Sequence, residues 1–163
     1  MDWLSVCEDK SLQDLPYKIE LNEWGNIVMT PASNRHARLQ VEIALLIQSF
    51  MKHGAILSES SVSTAKGVKV ADVAWGSYEF FIRNGEETPY LEAPDLCVEV
   101  RSPSNSFAEM MEKKDLYFSK GAKEFWLCDE DGNMSFYNCR GEREQSAIFP
   151  EMVKKVDLEI KGM

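Results

Sequence analysis

Two apolar runs in this sequence each carry a carboxylate where a hydrophobic side chain would be expected: Asp72 interrupts Val70-Ala71-Asp72-Val73-Ala74-Trp75, and Glu99 interrupts Cys97-Val98-Glu99-Val100. Short runs rich in β-branched and apolar residues read as buried strands. A charge inside such a strand is costly unless it is paired or metal-bound. The fold therefore has to bring a cation to each acid. Two carboxylates from neighbouring strands supply the hard oxygen ligands that Mg²⁺ or Mn²⁺ accepts, with water and a substrate phosphate completing the shell. The alternative is that both acids lie on a solvated face of the sheet and pair with Arg101 or a lysine.

The rest of the chain supplies the frame for those strands. Pro16 to Glu23 alternates apolar and polar residues and turns at Trp24-Gly25-Asn26 into Ile27-Val28-Met29, a hairpin. Ser33 is placed to cap a helix whose Leu39, Ile43, Leu46, Ile47 and Phe50 form one apolar stripe ending near Gly54. Strands are expected around Ala55 to Ser61 and Lys69 to Trp75, followed by an irregular connection from Gly76 to Pro94. A strand from Asp95 to about Arg101 leads to Ser106-Phe107-Ala108-Glu109, the spacing of a capping box, which opens a second helix ending at Gly121. Glu124 to Cys128 reads as a buried strand, and Asp131-Gly132 turns it into Met134 to Tyr137. Val153, Val156, Leu158 and Ile160 fit a late edge strand. Strand pairs and helices in this order describe an α/β domain, a mixed β-sheet flanked by two main α-helices, with β-hairpins.

At 163 residues and 44% apolar composition, one domain spanning 1–163 is expected, without a run long enough to cross a bilayer. The N-terminus lacks the basic start and apolar stretch of a secretory signal, which points to the cytoplasm. Cys7, Cys97, Cys128 and Cys139 form no CxxC pair, and Cys97 and Cys128 read as reduced core thiols. The formal net charge of -9 gives no long-range attraction to nucleic acid, so such a partner has to be held by local cations or by metal.

The segments Pro94-Asp95-Leu96-Cys97-Val98-Glu99-Val100-Arg101-Ser102-Pro103-Ser104, Lys113 with Tyr117, and Gly121-Ala122-Lys123-Glu124-Phe125-Trp126-Leu127 together resemble the Uma-type family of restriction-endonuclease-like proteins, within the PD-(D/E)XK nuclease superfamily. Gly25 to Ser33, His36 and Ala71-Asp72-Val73-Ala74 extend the resemblance over roughly residues 17 to 137. It implies a restriction-endonuclease-like fold and a metal-dependent endonuclease hydrolysing DNA. Asp72 and Glu99 would be the Mg (or Mn) ligands, and Lys113 would replace the motif lysine in space to support the attacking water. It also implies a homodimer. Two features depart from the family pattern: Ala71 stands in place of the usual proline, and Arg101 occupies the third position of the E-x-K triplet. Alternate residues of a strand share a face, so Arg101 is expected beside Glu99, about 7 Å away. Arginine is no base at neutral pH, so its role there would be to clamp phosphate.

Among side candidates, Asp95 marks the entry of the strand rather than a ligand, and His36 either borders the cleft or is a solvent-exposed helix start. Glu42 fits a solvated face, and His53 fits a contact with the C-terminal dipole of its helix. Glu109, Lys113 and Tyr117 form one helical row that serves a surface pair as readily as a site edge. No P-loop, dinucleotide fingerprint, G-x-S-x-G or HExxH motif occurs. Beside the nuclease, a catalytically inactive binding or assembly module that keeps Asp72 and Glu99 as a polar pair remains open.

Overall fold

Parallel neighbours in a sheet need a long crossover, and the helix expected after Glu99 provides one. The computed structural model describes residues 1–163. Helix α1 (Trp3–Glu8) precedes a hairpin of β1 (Tyr17–Leu21) and β2 (Ile27–Pro31), then helix α2 (Asn34–Phe50) and the antiparallel strands β3 (Ala55–Thr64) and β4 (Gly67–Gly76). Helix α3 (Tyr78–Asn84), strand β5 (Leu96–Val100), helix α4 (Phe107–Ser119) and strands β6 (Glu124–Cys128), β7 (Met134–Asn138) and β8 (Gly141–Arg143) complete the order. Strands β3 to β8 form one six-stranded sheet in sequence order, and β1 and β2 form a separate two-stranded sheet. The sheet is mixed: β5 and β6 run parallel across α4, and the other neighbours are antiparallel.

Each face of the sheet is covered by one main helix. Leu39, Ile43 and Ile47 of α2 pack on Val73, Trp75, Leu96, Val98, Val100 and Trp126. Met110 and Tyr117 of α4 pack on Ala71, Ala74, Cys97, Phe125 and Leu127. Ser33 caps α2 by accepting from the His36 backbone N–H, and Ser106 and Glu109 form the reciprocal capping box of α4. Cys97 and Cys128 are buried free thiols. No helix is long and apolar enough to cross a membrane.

Two expectations need correction. The stretch after Gly76 is not irregular throughout, because Ser77 caps α3 through the Phe80 N–H, and buried Phe80 and the bond from Ser77 N to Asp95 Oδ2 (2.7 Å) fix the helix to the sheet. The tail is not an edge strand. The free edge of β7 is taken by β8, while Met152 and Val156 turn inward onto the α2 side and only the Asn133–Lys155 bridge pairs with the tail.

The hairpin is seated on the start of β4 at Gly67. There φ is +90°, and an added Cβ would lie 2.2 Å from Leu21 O and 2.3 Å from Asn22 O. Both the left-handed backbone and the close approach require glycine. Gly67→Ala is expected to lower stability by about 3 kcal/mol, read from the urea midpoint at unchanged slope. A loss under about 1 kcal/mol would mean the hairpin is only loosely seated.

Candidate active site

The antiparallel pairing of β4 with β5 runs Trp75 to Leu96, Ala74 to Cys97 and Val73 to Val98, and stops there. Asp72 and Glu99 occupy the next step, where the two strands part. At that point the Asp72 side chain takes over from the main-chain ladder: its Oδ2 accepts from Val100 N at 2.7 Å. The alternation of β4 also breaks here, since Ala71 packs with the α4 face and Val73 with the α2 face. On β3, Glu59 lies opposite Asp72 with φ +53°, and this pair is missing from an otherwise continuous register. The local distortion frees Asp72 from the flat sheet and turns it toward the gap.

The gap is occupied by cations of this same chain. Lys18 of β1 places Nζ 3.0 Å from Asp72 Oδ1 and 3.0 Å from Glu99 Oε2. Lys113 of α4 places Nζ 3.0 Å from Glu99 Oε1 and 2.8 Å from Glu20 Oε2. Tyr117, one turn further along α4, donates its hydroxyl to Glu99 Oε1 at 2.8 Å. His36 Nε2 lies 3.3 Å from Asp72 Oδ2 and 3.1 Å from Val100 O. Glu20 is held in turn by Val70 N at 2.6 Å. Five carboxylates, those of Glu20, Asp72, Glu99, Glu109 and Glu112, and the three ammonium groups of Lys18, Lys69 and Lys113 thus line a cleft of about 360 Å³ between the hairpin, β4, β5 and α4.

This network drives the two central acids apart electrostatically. Burial opposes the charge on Asp72, but Lys18 and His36 overcome it and hold the carboxyl well below the usual range. Burial raises the Glu99 carboxyl, with Asp72 and Glu20 adding to the shift, and the two lysines do not fully offset it. Burial also disfavours a charged His36, yet its contact with Asp72 leaves the imidazole pKa raised. Its Nδ1 is buried without a hydrogen-bond partner.

From residue 9 to residue 156 the sequence matches the family model Uma2, described as "Putative restriction endonuclease". The chain belongs to the Uma2 family. Among solved structures, it resembles a crystal structure described as a putative nuclease belonging to DUF820 from Anabaena variabilis, with a TM-score of 0.68 and 20% identity. That match covers 85% of this chain and 86% of the other, and the likeness is one of fold. No curated protein matches the sequence.

In this Uma2 chain, Asp72, Glu99, Lys113 and His36 meet in one place. Arg101 does not join them: β5 ends at Val100, so strand alternation no longer applies, and Arg101 Nε donates to Asn105 O at 3.0 Å. Asp95 is held by Ser77 N and Lys123 at the entry of β5. Glu42 does not line the cleft. His53 faces the start of α3 instead of its own helix dipole, accepting from Tyr78 N at 3.3 Å. Lys18, Glu20 and Lys69 line the cleft without having been singled out from sequence. The alternation Tyr17-Lys18-Ile19-Glu20-Leu21 already put Lys18 and Glu20 on one face, and that face turns to the cleft.

The donor set can be compared with what divalent metals require. No three His, Cys, Asp or Glu side chains are grouped closely enough to hold an ion among themselves. A structural or catalytic zinc centre needs at least that many. Mg²⁺ is commonly held by one or two carboxylates while keeping several waters, and Asp72 with Glu99 fits that requirement.

Proposed function

We propose that this Uma2-family protein is a metal-dependent endonuclease that hydrolyses DNA phosphodiester bonds, with Asp72 and Glu99 as the ligands of Mg²⁺ (or Mn²⁺). The observation that carries the reading is the single ammonium lying 3.0 Å from both carboxylates, because it means the two acids are aimed at one cationic point. When bound, the metal would lower the pKa of a coordinated water and neutralise phosphate charge. The chain's own residues prepare the site. Val100 N and His36 fix the orientation of Asp72, and Tyr117 fixes Glu99. Lys113, steadied by Glu20, is the cation placed to stabilise charge developing on the phosphate and to help hold the attacking water. Arg101, pointing to Asn105, takes no part in this arrangement.

One observation favours a second reading. Lys18 and Lys113 already supply counter-ions to the buried acids, so the fold has cations at these carboxylates without a metal, as a binding or assembly module would. Calorimetric titration with Mn²⁺ separates the two: heat of binding that disappears in Asp72→Ala supports the nuclease, and a silent titration of both proteins supports the module. The matching activity assay uses plasmid, single-stranded DNA and RNA with Mg²⁺, Mn²⁺ or EDTA. Cleavage of DNA that needs metal and is lost in Glu99→Ala is expected; cleavage that survives that substitution would belong to a contaminant.

A further inference from the structure

Four basic side chains line the cleft: Lys18, His36, Lys69 and Lys113. Three of them are committed to carboxylates. Lys18 is shared by Asp72 and Glu99, His36 lies against Asp72, and Lys113 is shared by Glu20 and Glu99. Lys69 has no carboxylate within ion-pair distance, and its side chain makes no hydrogen bond. It extends from β4, one residue before Val70, whose N–H anchors Glu20.

We propose that Lys69 is the residue of this cleft that receives a backbone phosphate of a DNA substrate. The inference rests on the nuclease reading and names the part of the site that recruits the substrate. Its argument is one of charge. An acidic chain of net charge -9 repels DNA at a distance, so attraction has to come from local cations whose charge is not already neutralised. Ammonium groups held between two carboxylates contribute little to that attraction, which leaves Lys69, the one lysine of the cleft in no direct ion pair, although Glu20, Glu112 and Glu23 act on it from further away. The side chain is also only half-exposed, so it has given up part of its hydration without gaining a partner. Burial correspondingly lowers its proton affinity. A phosphate oxygen in the cleft would supply the missing charge-assisted hydrogen bond. A carboxylate ligand could do the same chemically, but a polyanion adds the release of condensed counter-ions, which makes the contact measurable.

The test is equilibrium binding of a short fluorescein-labelled DNA duplex by fluorescence anisotropy in Ca²⁺ across a salt series. Wild type, Lys69→Ala and Lys69→Arg are compared, and Mn²⁺ titrations of the same proteins report on the metal site. Lys69→Ala is expected to weaken binding about tenfold and to reduce the slope of log K against log salt by about 0.9, with Mn²⁺ affinity unchanged within about twofold. Lys69→Arg, which keeps the charge, is expected to retain the wild-type slope. Wild-type binding whose slope and affinity survive Lys69→Ala overturns this inference alone. A wild type that binds neither duplex nor Mn²⁺ overturns the nuclease reading and this inference with it.

Discussion

Asp72→Asn is expected to cost about 3–5 kcal/mol of stability and to abolish metal binding, the larger of these effects on the fold arising before any substrate is present. The carboxylate accepts from Lys18, His36 and Val100 N, and the residue is 2% exposed. An asparagine of the same shape would present an amide N–H₂ to at least one of these donors and remove the charge that Lys18 requires. Against a total stability of about 5–15 kcal/mol for a domain, the loss is about a fifth or more.

The pH dependence fixes the sign independently. Asp72 titrates well below the ordinary carboxylate range in the folded protein. Its contribution is therefore fully present above the unfolded pKa of about 3.9, and is lost as pH falls below that value toward the folded pKa. The stability difference between wild type and Asp72→Asn should be large from neutral pH down to about 4, with His36 adding to it as the imidazole protonates, then shrink on further acidification. Urea unfolding at several pH values measures it; a difference that is small at neutral pH, or that grows below about pH 4, would contradict the assignment. Glu99 has the opposite sign, because its folded pKa is raised. Its linkage contribution is present below the unfolded pKa of about 4.3 and is lost as pH rises through the folded value. The site thus holds one acid that stabilises the fold by being charged and one whose charge is a strain on it.

Local rules reached a large part of this architecture. The stripe of Leu39, Ile43 and Ile47 specifies α2, Ser33 and the Ser106–Glu109 box mark both helix starts, and Asp131-Gly132 marks the β6–β7 turn. Asp72 and Glu99 were legible because charge in an apolar run is costly wherever the run is buried. What local rules could not reach depends on long-range packing. A strand such as Tyr17 to Leu21 has an apolar and a polar face by sequence, but whether Lys18 and Glu20 meet water or another strand is decided by the seat of the hairpin on Gly67. Helix α3 depends on Asp95 and buried Phe80, both supplied by the sheet. Arg101 was misplaced by extending strand alternation one residue past the end of β5.

Lys18→Met is expected to tighten Mn²⁺ binding at least about tenfold while destabilising the metal-free protein by about 3–5 kcal/mol. The ammonium stands between the carboxylates that would hold the metal, and its side chain is 13% exposed. A divalent ion and an ammonium about 4 Å apart repel by about 8 kcal/mol at an effective dielectric constant of about 20, so both cannot share the gap. Metal binding to wild type therefore includes the work of displacing Lys18, and only the fraction of molecules with the lysine withdrawn is competent to bind. Methionine fills similar volume without charge and removes that work. In the metal-free variant the Glu99 carboxyl, already raised by burial, would be raised further by the loss of Lys18, which limits the destabilisation. Metal binding opposes that upward shift, so the affinity of the variant should rise with pH more steeply than that of wild type. Calorimetric titration at two pH values, with urea unfolding in EDTA, reads all three effects. Weaker Mn²⁺ binding by Lys18→Met would mean that the lysine shapes the carboxylate pair for the metal instead of competing with it.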